Sequence, residues 1–456
     1  MFPFFNREAE LRRLRRMIGQ EAGGLAVVYG RRRCGKSRLV RELSETNLIY
    51  FQADQREAPL QRQALAGVIA RQLPGFDEAV YPDWEALLHA LQYRLQGPMA
   101  ICLDEFPYLV RGDEALPSIL QGFLDRFPNG PLSILLCGSA QQMMRGLVLD
   151  ASAPLYGRAK EILRIHPLKA YWLSQGFPQL TPDALVEEYA VWGGVPRYWE
   201  LRQTYANLEE ALLDLAFDPI GVLYEEPDRL FLDEARSAIQ PLSIMSLVGS
   251  GSQRLSVIAA RLEKPATQLA RPLQFLTDLR FLLREVPFGE SARNSKKGIY
   301  SIADPFLAFY FRFVSPNRSE LELGRGAKVW ERLQPAWRQH VAGVWETMCR
   351  EALPALLPNL DLQPASRWWG KLSDGASMEI DLLATDTAQQ VLVAGEVKWS
   401  DEPHIKSLSG RLDYFTSVFP PAKGKKIVKV LFARKKSSDP AFDFCFSPEE
   451  VLGVLR

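Results

Sequence analysis

The feature that most constrains this chain is an eight-residue run, Gly30-Arg31-Arg32-Arg33-Cys34-Gly35-Lys36-Ser37. It follows an apolar, β-rich stretch at 25–29 and precedes a segment at 38–43 with helical apolar spacing, so strand, glycine loop and helix come in direct succession. The pattern is GxxxxGK[ST], and each fixed position has a mechanical reason. Successive backbone N–H groups wrap a phosphate, Lys36 supplies a point charge, and Ser37 offers a hydroxyl to Mg²⁺. The loop from Gly30 to Arg38 is therefore expected to hold the phosphates of a nucleoside triphosphate.

Further apolar runs at 48–51, 99–103, 132–137 and 161–165 alternate with helix-like stretches such as 84–95. That rhythm predicts an α/β domain with a mostly parallel sheet. At 456 residues the chain needs several cores, and 47% apolar residues with 10 Trp are enough to fill them. Strands disappear after Pro167, and Gly/Pro breaks at 176–182 and 193–196 divide a helical stretch. Residues 236–304 read as a helix, two more helices at 254–262 and 265–279, and strands at 281–286 and 298–302 around a polar loop, the order of a winged helix-turn-helix. Residues 316–326 are polar and read as a linker. Strands at 378–384 and 391–398 then open a different α/β unit. The expected blocks are 1–168 (nucleotide-binding core), 169–235 (helical lid), 236–315 (winged helix) and 326–456 (C-terminal α/β domain).

A second element agrees with the phosphate loop. The strand at 99–103 ends in Asp104-Glu105, as needed for Asp104 to hold Mg²⁺ through water and Glu105 to polarise the attacking water. General-base help of this kind is worth roughly 10² to 10⁴ in rate, which makes Glu105 a mark of hydrolysis rather than of binding alone. After the strand at 132–137 comes Gly138-Ser139, where Ser139 stands to sense the γ-phosphate.

These residues resemble the prokaryotic, archaeal-type ATPases, relatives of the STAND signalling ATPases and of origin-recognition initiators. The resemblance rests on Phe5-Asn6-Arg7-Glu8-Ala9-Glu10-Leu11, Gly30-Arg31-Arg32-Arg33, Leu103-Asp104-Glu105-Phe106, Cys137-Gly138-Ser139 and Leu155-Tyr156-Gly157-Arg158, and covers about the first two hundred residues. It implies an ASCE-type P-loop NTPase that uses ATP and Mg²⁺. It also implies that Asn6, Arg7 and Glu8 lie near the adenine and that Gly194-Val195-Pro196 is the element by which the lid touches nucleotide. Arg158 and Arg197 become arginines acting as sensors or across subunits of a homo-oligomer, or else ordinary surface arginines.

In the winged-helix segment Gln268, Arg271 and Gln274 share one helix face, and the loop carries Arg293, Lys296 and Lys297. This is either a DNA-reading module or a protein-docking one. Further on, Glu396 and Lys398 lie two apart on one face of a strand. With residues 385–390 as the turn, Asp381 pairs opposite Ala394, so Glu396 is its diagonal neighbour within about 7 to 8 Å. Val391, Val393 and Val397 then pack inward and the carboxylates stand at the sheet surface. Asp381 and Glu396 are a candidate metal pair and Lys398 a candidate orienter of water. The constellation resembles the PD-(D/E)xK restriction-endonuclease-like superfamily, which implies a metal-dependent nuclease with Glu346 as a fourth member. Seven basic residues at 423–436 form a possible phosphate-backbone contact, or a solvated edge.

Composition excludes rather than assigns. A net charge of +1 leaves DNA attraction to local patches. Five scattered cysteines (Cys34, Cys102, Cys137, Cys349, Cys445) offer neither a disulfide framework nor a zinc site. No long uncharged apolar run and no apolar leader is present, so a cytoplasmic location without membrane partners is expected. The reading is an ATPase acting on DNA and controlling a nuclease-like domain. Its alternatives are a STAND-like switch whose C-terminal fold only binds a partner or DNA, and an initiator-like loader.

Overall fold

The computed structural model describes residues 2–43, 47–234 and 237–456. The expected lid boundary at Ala235 and Arg236 lies outside the described residues. The first sheet contains β1 (Leu25–Tyr29), β2 (Leu48–Gln52), β3 (Met99–Asp104), β4 (Leu132–Gly138) and β5 (Ala159–Arg164) in the order β2-β3-β4-β1-β5. Every pairing is parallel. Such a sheet is covered on both faces, so its central strands are continuous apolar runs: β1 and β4 are buried at every residue. Each expected strand lies within two residues of its observed bounds. The phosphate loop leaves the carboxyl end of β1, between β4 and β5.

Residues 170–234 are helical in five segments, among them Ala170–Gly176, Pro182–Trp192, Pro196–Arg202 and Glu226–Glu234. Helices Ile239–Gly249, Leu255–Arg261 and Ala266–Asp278 precede the antiparallel hairpin β6 (Leu282–Glu285) and β7 (Ile299–Ile302). The hairpin is fastened to the C-terminal unit: Phe288 N donates to Arg367 O at 3.0 Å, and Arg367 pairs with Glu285 at 2.9 Å.

The expected linker at 316–326 is not extended. A 3₁₀ turn, Ser315–Asn317, runs into the helix Arg318–Leu321, and the 31-residue helix Gly326–Leu356 starts at the glycine. Buried Leu321, the Arg332–Glu320 pair (2.8 Å) and the Arg318–Asp228 pair (3.0 Å) give these polar residues partners that composition does not show.

The last unit holds β8 (Ser366–Lys371), β9 (Ser377–Thr385), β10 (Val391–Val397), β11 (Lys426–Phe432) and β12 (Phe444–Phe446), ordered β12-β11-β10-β9-β8. β8, β9 and β10 form an antiparallel meander, and β11 and β12 run parallel to β10. Trp345, Met348 and Cys349 of the long helix share a core with Val393 and Val397. Leu412 and Phe415 of the helix Ile405–Val418 pack with Leu392 and Ala394 from the other face. Finally the helix Pro448–Val454 returns to the first half, packing on Ala170–Gly176 and Pro182–Trp192, with Tyr171 N donating to Leu455 O at 3.1 Å.

Candidate functional site

The phosphate loop is shaped by two glycines. A Cβ at Gly30 would meet Ile165 O at 2.2 Å, and Gly35 has φ +88°, which a side chain rarely adopts. The helix Lys36–Arg41 starts directly after Gly35, so its unpaired N–H groups face the loop. A cavity of about 330 Å³ lies over it, lined by Pro3, Phe4, Phe5, Arg7, Arg32 to Arg38, Glu105, Ser139, Pro196 and Arg197 among others. That volume suits a small-molecule ligand.

Asp104, 1% exposed, lies below the loop. Burial alone would raise its carboxyl, yet hydrogen bonds involving Tyr50, Cys137 and Ser37 hold it below the usual value. The Tyr50 hydroxyl donates to Asp104 Oδ2, and burial with this bond pushes the phenol well up. Glu105 bends away at φ +52°, and Ser139 Oγ donates to it at 2.9 Å. Lys36 Nζ donates to Arg31 O at 3.0 Å. The base, the seryl sensor and the phosphate lysine expected from sequence thus line one cavity.

Gly30 and Arg31 shape the loop from behind. Arg31 forms a buried ion pair with Asp304 and donates to the Tyr198 hydroxyl at 3.0 Å, while Tyr198 donates to Glu226 at 3.0 Å. Arg7 donates to His166 O at 2.6 Å, beside the cavity. Asn6 stands at φ +49° just before the helix Glu8–Ile18 and does not line it. Pro196 opens the helix Pro196–Arg202, and Leu168 N donates to Gly194 O at 2.7 Å, joining the lid to the end of the sheet domain. Arg158 is outside the cavity and pairs with Asp125 through both oxygens, at 3.0 and 2.9 Å.

In the C-terminal unit the register differs from the expected one. Leu383 pairs with Ala394 and Leu382 with Gly395, so continuing the ladder sets Asp381 opposite Glu396 rather than diagonal to it. The cause is the turn: Thr385 stays in β9, and Asp386 Oδ1 accepts from Gln390 N and Val391 N, both at 2.8 Å. The carboxylate face is not at the surface either, because the helix Ile405–Val418 covers it and Glu396 is 0% exposed.

Lys398 Nζ lies 2.7 Å from Asp381 Oδ2 and 2.8 Å from Glu396 Oε2. Val397 N also donates to Asp381, at 2.9 Å. Burial works against the lysine's charge, but the two carboxylates hold its ammonium above the ordinary value. Burial and then Asp381 push Glu396 up. Glu346 is raised to about 7, by burial first and by Asp381 second, against Arg350 at 3.7 Å. Glu346 and Arg350 also line a second cavity, about 870 Å³, that reaches the β6–β7 hairpin. Of the basic run, Lys429, Arg434, Lys435 and Lys436 are paired with carboxylates within the chain. Gln268, Arg271, Gln274, Arg293, Lys296 and Lys297 are exposed, with Lys297 paired to Glu290 at 2.6 Å.

Residues 4–200 match the family described as "ATPase domain predominantly from Archaea", and residues 310–408 one described as "Archaea bacterial proteins of unknown function". An uncharacterized protein of Methanocaldococcus jannaschii is 30% identical over 409 residues, 87% of this chain and 88% of that protein. The chain belongs to this family of archaeal ATPases. Among solved structures, a Walker-type ATPase of Pyrococcus abyssi superposes with TM-score 0.53 at 21% identity, over 68% of this chain and 96% of that one, and shows the shared fold. The ORC2 protein of Aeropyrum pernix gives TM-score 0.48 at 15% identity over 70% and 96%.

For this archaeal-type ATPase, Mg²⁺ fits the first site in kind: Ser37 and Asp104 are hard oxygen donors, and Asp104 is kept ionised. Among the described residues no group of three or more His, Cys, Asp or Glu side chains is placed to hold a metal ion. At the second site Asp381 and Glu396 are already bridged by Lys398, and Arg411 lies 3.6 Å from Glu396, so cations of the chain itself occupy both carboxylates. Sequence reasoning missed Tyr50, Tyr198, Glu226 and Asp304. Only Asp304 left a signal, since Asp-Pro before an apolar run marks a helix start, and Asp304 Oδ1 caps Leu307 N at 2.9 Å. Among the described residues no helix is long and apolar enough to cross a membrane.

Proposed function

We propose that this ATPase binds ATP and Mg²⁺ in the 330 Å³ cavity and uses hydrolysis to control a metal-dependent, nuclease-like C-terminal domain acting on DNA. In the first site the backbone N–H groups of residues 31–37 and Lys36 bind the phosphates, Ser37 and Asp104 would hold Mg²⁺, and Glu105 takes the proton of the attacking water. Ser139 fixes the Glu105 carboxylate for that transfer. Bound Mg²⁺ would supply neutralisation of phosphate charge. Phe4 and Phe5 offer apolar surface for the base.

The observation that carries the nuclease reading is the convergence of Asp381, Glu396 and Lys398 on adjoining β9 and β10. The helix Gly326–Leu356 and the helix Ile405–Val418 cover the two faces of the sheet that carries these residues. Glu346, held near neutrality, is suited to pass a proton at its carboxyl. The helices 239–278 with the β6–β7 hairpin form the proposed winged helix, and residues 169–235 the lid. The exposed Gln268, Arg271 and Gln274 are its DNA-facing candidates.

One specific observation favours the second reading, a switch whose C-terminal fold only binds. Lys398 bridges the two carboxylates, and Arg411 closes Glu396 from the other side at 3.6 Å. The test is incubation of the full chain with DNA and Mg²⁺ or Mn²⁺, with and without ATP, comparing wild type, Lys36→Ala and Asp381→Ala. Cleavage by wild type that Asp381→Ala abolishes is expected. DNA that stays intact throughout but shifts in a gel would select the second reading.

A further inference from the structure

Arg32 and Arg33 are neighbours in the phosphate loop, and both line the cavity that also takes in Lys36, Glu105 and Ser139. Neither side chain is idle. Arg32 pairs with Asp233 at 2.9 Å and Arg33 with Glu226 at 3.0 Å. Both acids belong to the nine-residue helix Glu226–Glu234. The last residue of that helix, Glu234, accepts from Gln142 N at 3.2 Å and Gln141 Nε2 at 3.3 Å, in the segment just after Ser139. One short helix therefore holds the crest of the phosphate loop and the loop that positions the hydrolytic base.

The two arginine pairs differ in how firmly they hold. Glu226 is 2% exposed and also receives Tyr198, so removing Arg33 would strand a buried carboxylate. Arg32 and Asp233 are 47% and 30% exposed; water screens such a pair, and it contributes little. A guanidinium meeting a phosphate makes shorter, charge-assisted and often bidentate bonds. A terminal phosphate within reach would therefore compete more easily with half-exposed Asp233 for Arg32 than with buried Glu226 for Arg33.

We propose that Arg32 discriminates triphosphate from diphosphate: it leaves Asp233 for the terminal phosphate, while Arg33 stays on Glu226 and keeps the helix against the loop. This rests on the ATP reading of the cavity. Only the Asp233 contact is released, and the next residue, Glu234, is the one that holds the segment after Ser139. The triphosphate state is thereby passed to the helix Glu226–Glu234 without unseating the P-loop.

The experiment is nucleotide titration of the full chain by calorimetry with Mg²⁺, using ADP and a non-hydrolysable ATP analogue. Arg32→Ala is expected to weaken the analogue about tenfold and ADP less than about twofold, the loss of one charge-assisted contact. Asp233→Asn, which frees Arg32, is expected to tighten the analogue about two- to fivefold and leave ADP unchanged. Both positions are solvent-accessible, and far-UV circular dichroism checks the fold. Equal weakening of both nucleotides by Arg32→Ala, or a weaker analogue with Asp233→Asn, overturns the inference while leaving the ATP reading intact. If wild type binds neither nucleotide, and Lys36→Ala is indistinguishable from it, both readings fall.

Discussion

Asp104 and Glu105 are adjacent in sequence, yet the chain gives them opposite surroundings. Asp104 is enclosed and kept ionised by Tyr50 and its neighbours, while Glu105 leans into the cavity on Ser139. Glu105→Gln should therefore bind ATP as wild type does and hydrolyse it about 10² to 10⁴ times more slowly, as followed by phosphate release. Ser139→Ala should slow hydrolysis by less, about tenfold, without changing ATP affinity. Equal damage to affinity in either variant would sink the assignment. At this scale the sequence was legible wherever chemistry demands a fixed spacing, as in Gly30 to Ser37 and Asp104-Glu105. Tyr50 was not legible, because a tyrosine in an apolar strand looks like core until the pairing of β2 with β3 brings its hydroxyl to Asp104.

The strands and helices named from the sequence lie within two residues of their observed bounds because apolar periodicity is local, whereas β8, β12 and the helix Ile405–Val418 were not read at all. Two further features were misread. The register of β9 on β10 depended on whether Thr385 belonged to strand or turn, and that single choice moved Asp381 by two positions. The segment 316–326 is polar yet ordered, since its partners lie far away at Asp228 and Arg332. The helix Glu226–Glu234 makes a prediction of its own. Glu234 is raised to about 7, chiefly by burial. Its folded value lies above the unfolded one, near 4.5, so the folded state binds the extra proton between these pH values. Stability is thus lost as pH rises from about 4.5 to about 7, by up to roughly 3 kcal/mol, and changes no further above that range. Glu234→Gln should raise Tm at pH 8 and leave it near wild type at pH 5. A gain that is the same at both pH values would show that ionisation is not the cause.

Blocks far apart in sequence are tied by long-range contacts, among them the buried pair of Arg31 and Asp304. Burial works against the Arg31 charge, and Asp304 leads the groups that raise its pKa and secure it. Asp304→Ala should destabilise the chain by roughly 3–5 kcal/mol, read as a lower urea midpoint, because it leaves an unpaired buried cation. Arg31→Met with Asp304→Leu should recover most of that loss. A double variant as weak as the single one would show that shape, not charge, is at stake. The helix Pro448–Val454 carries the same theme into time. It covers Ala170–Gly176 and Pro182–Trp192, which precede it by about 250 residues (192 to 448). A ribosome adding about 5–20 residues per second needs roughly ten seconds or more to bridge that interval. During synthesis the two helices stand with an apolar flank uncovered long after their own residues have emerged.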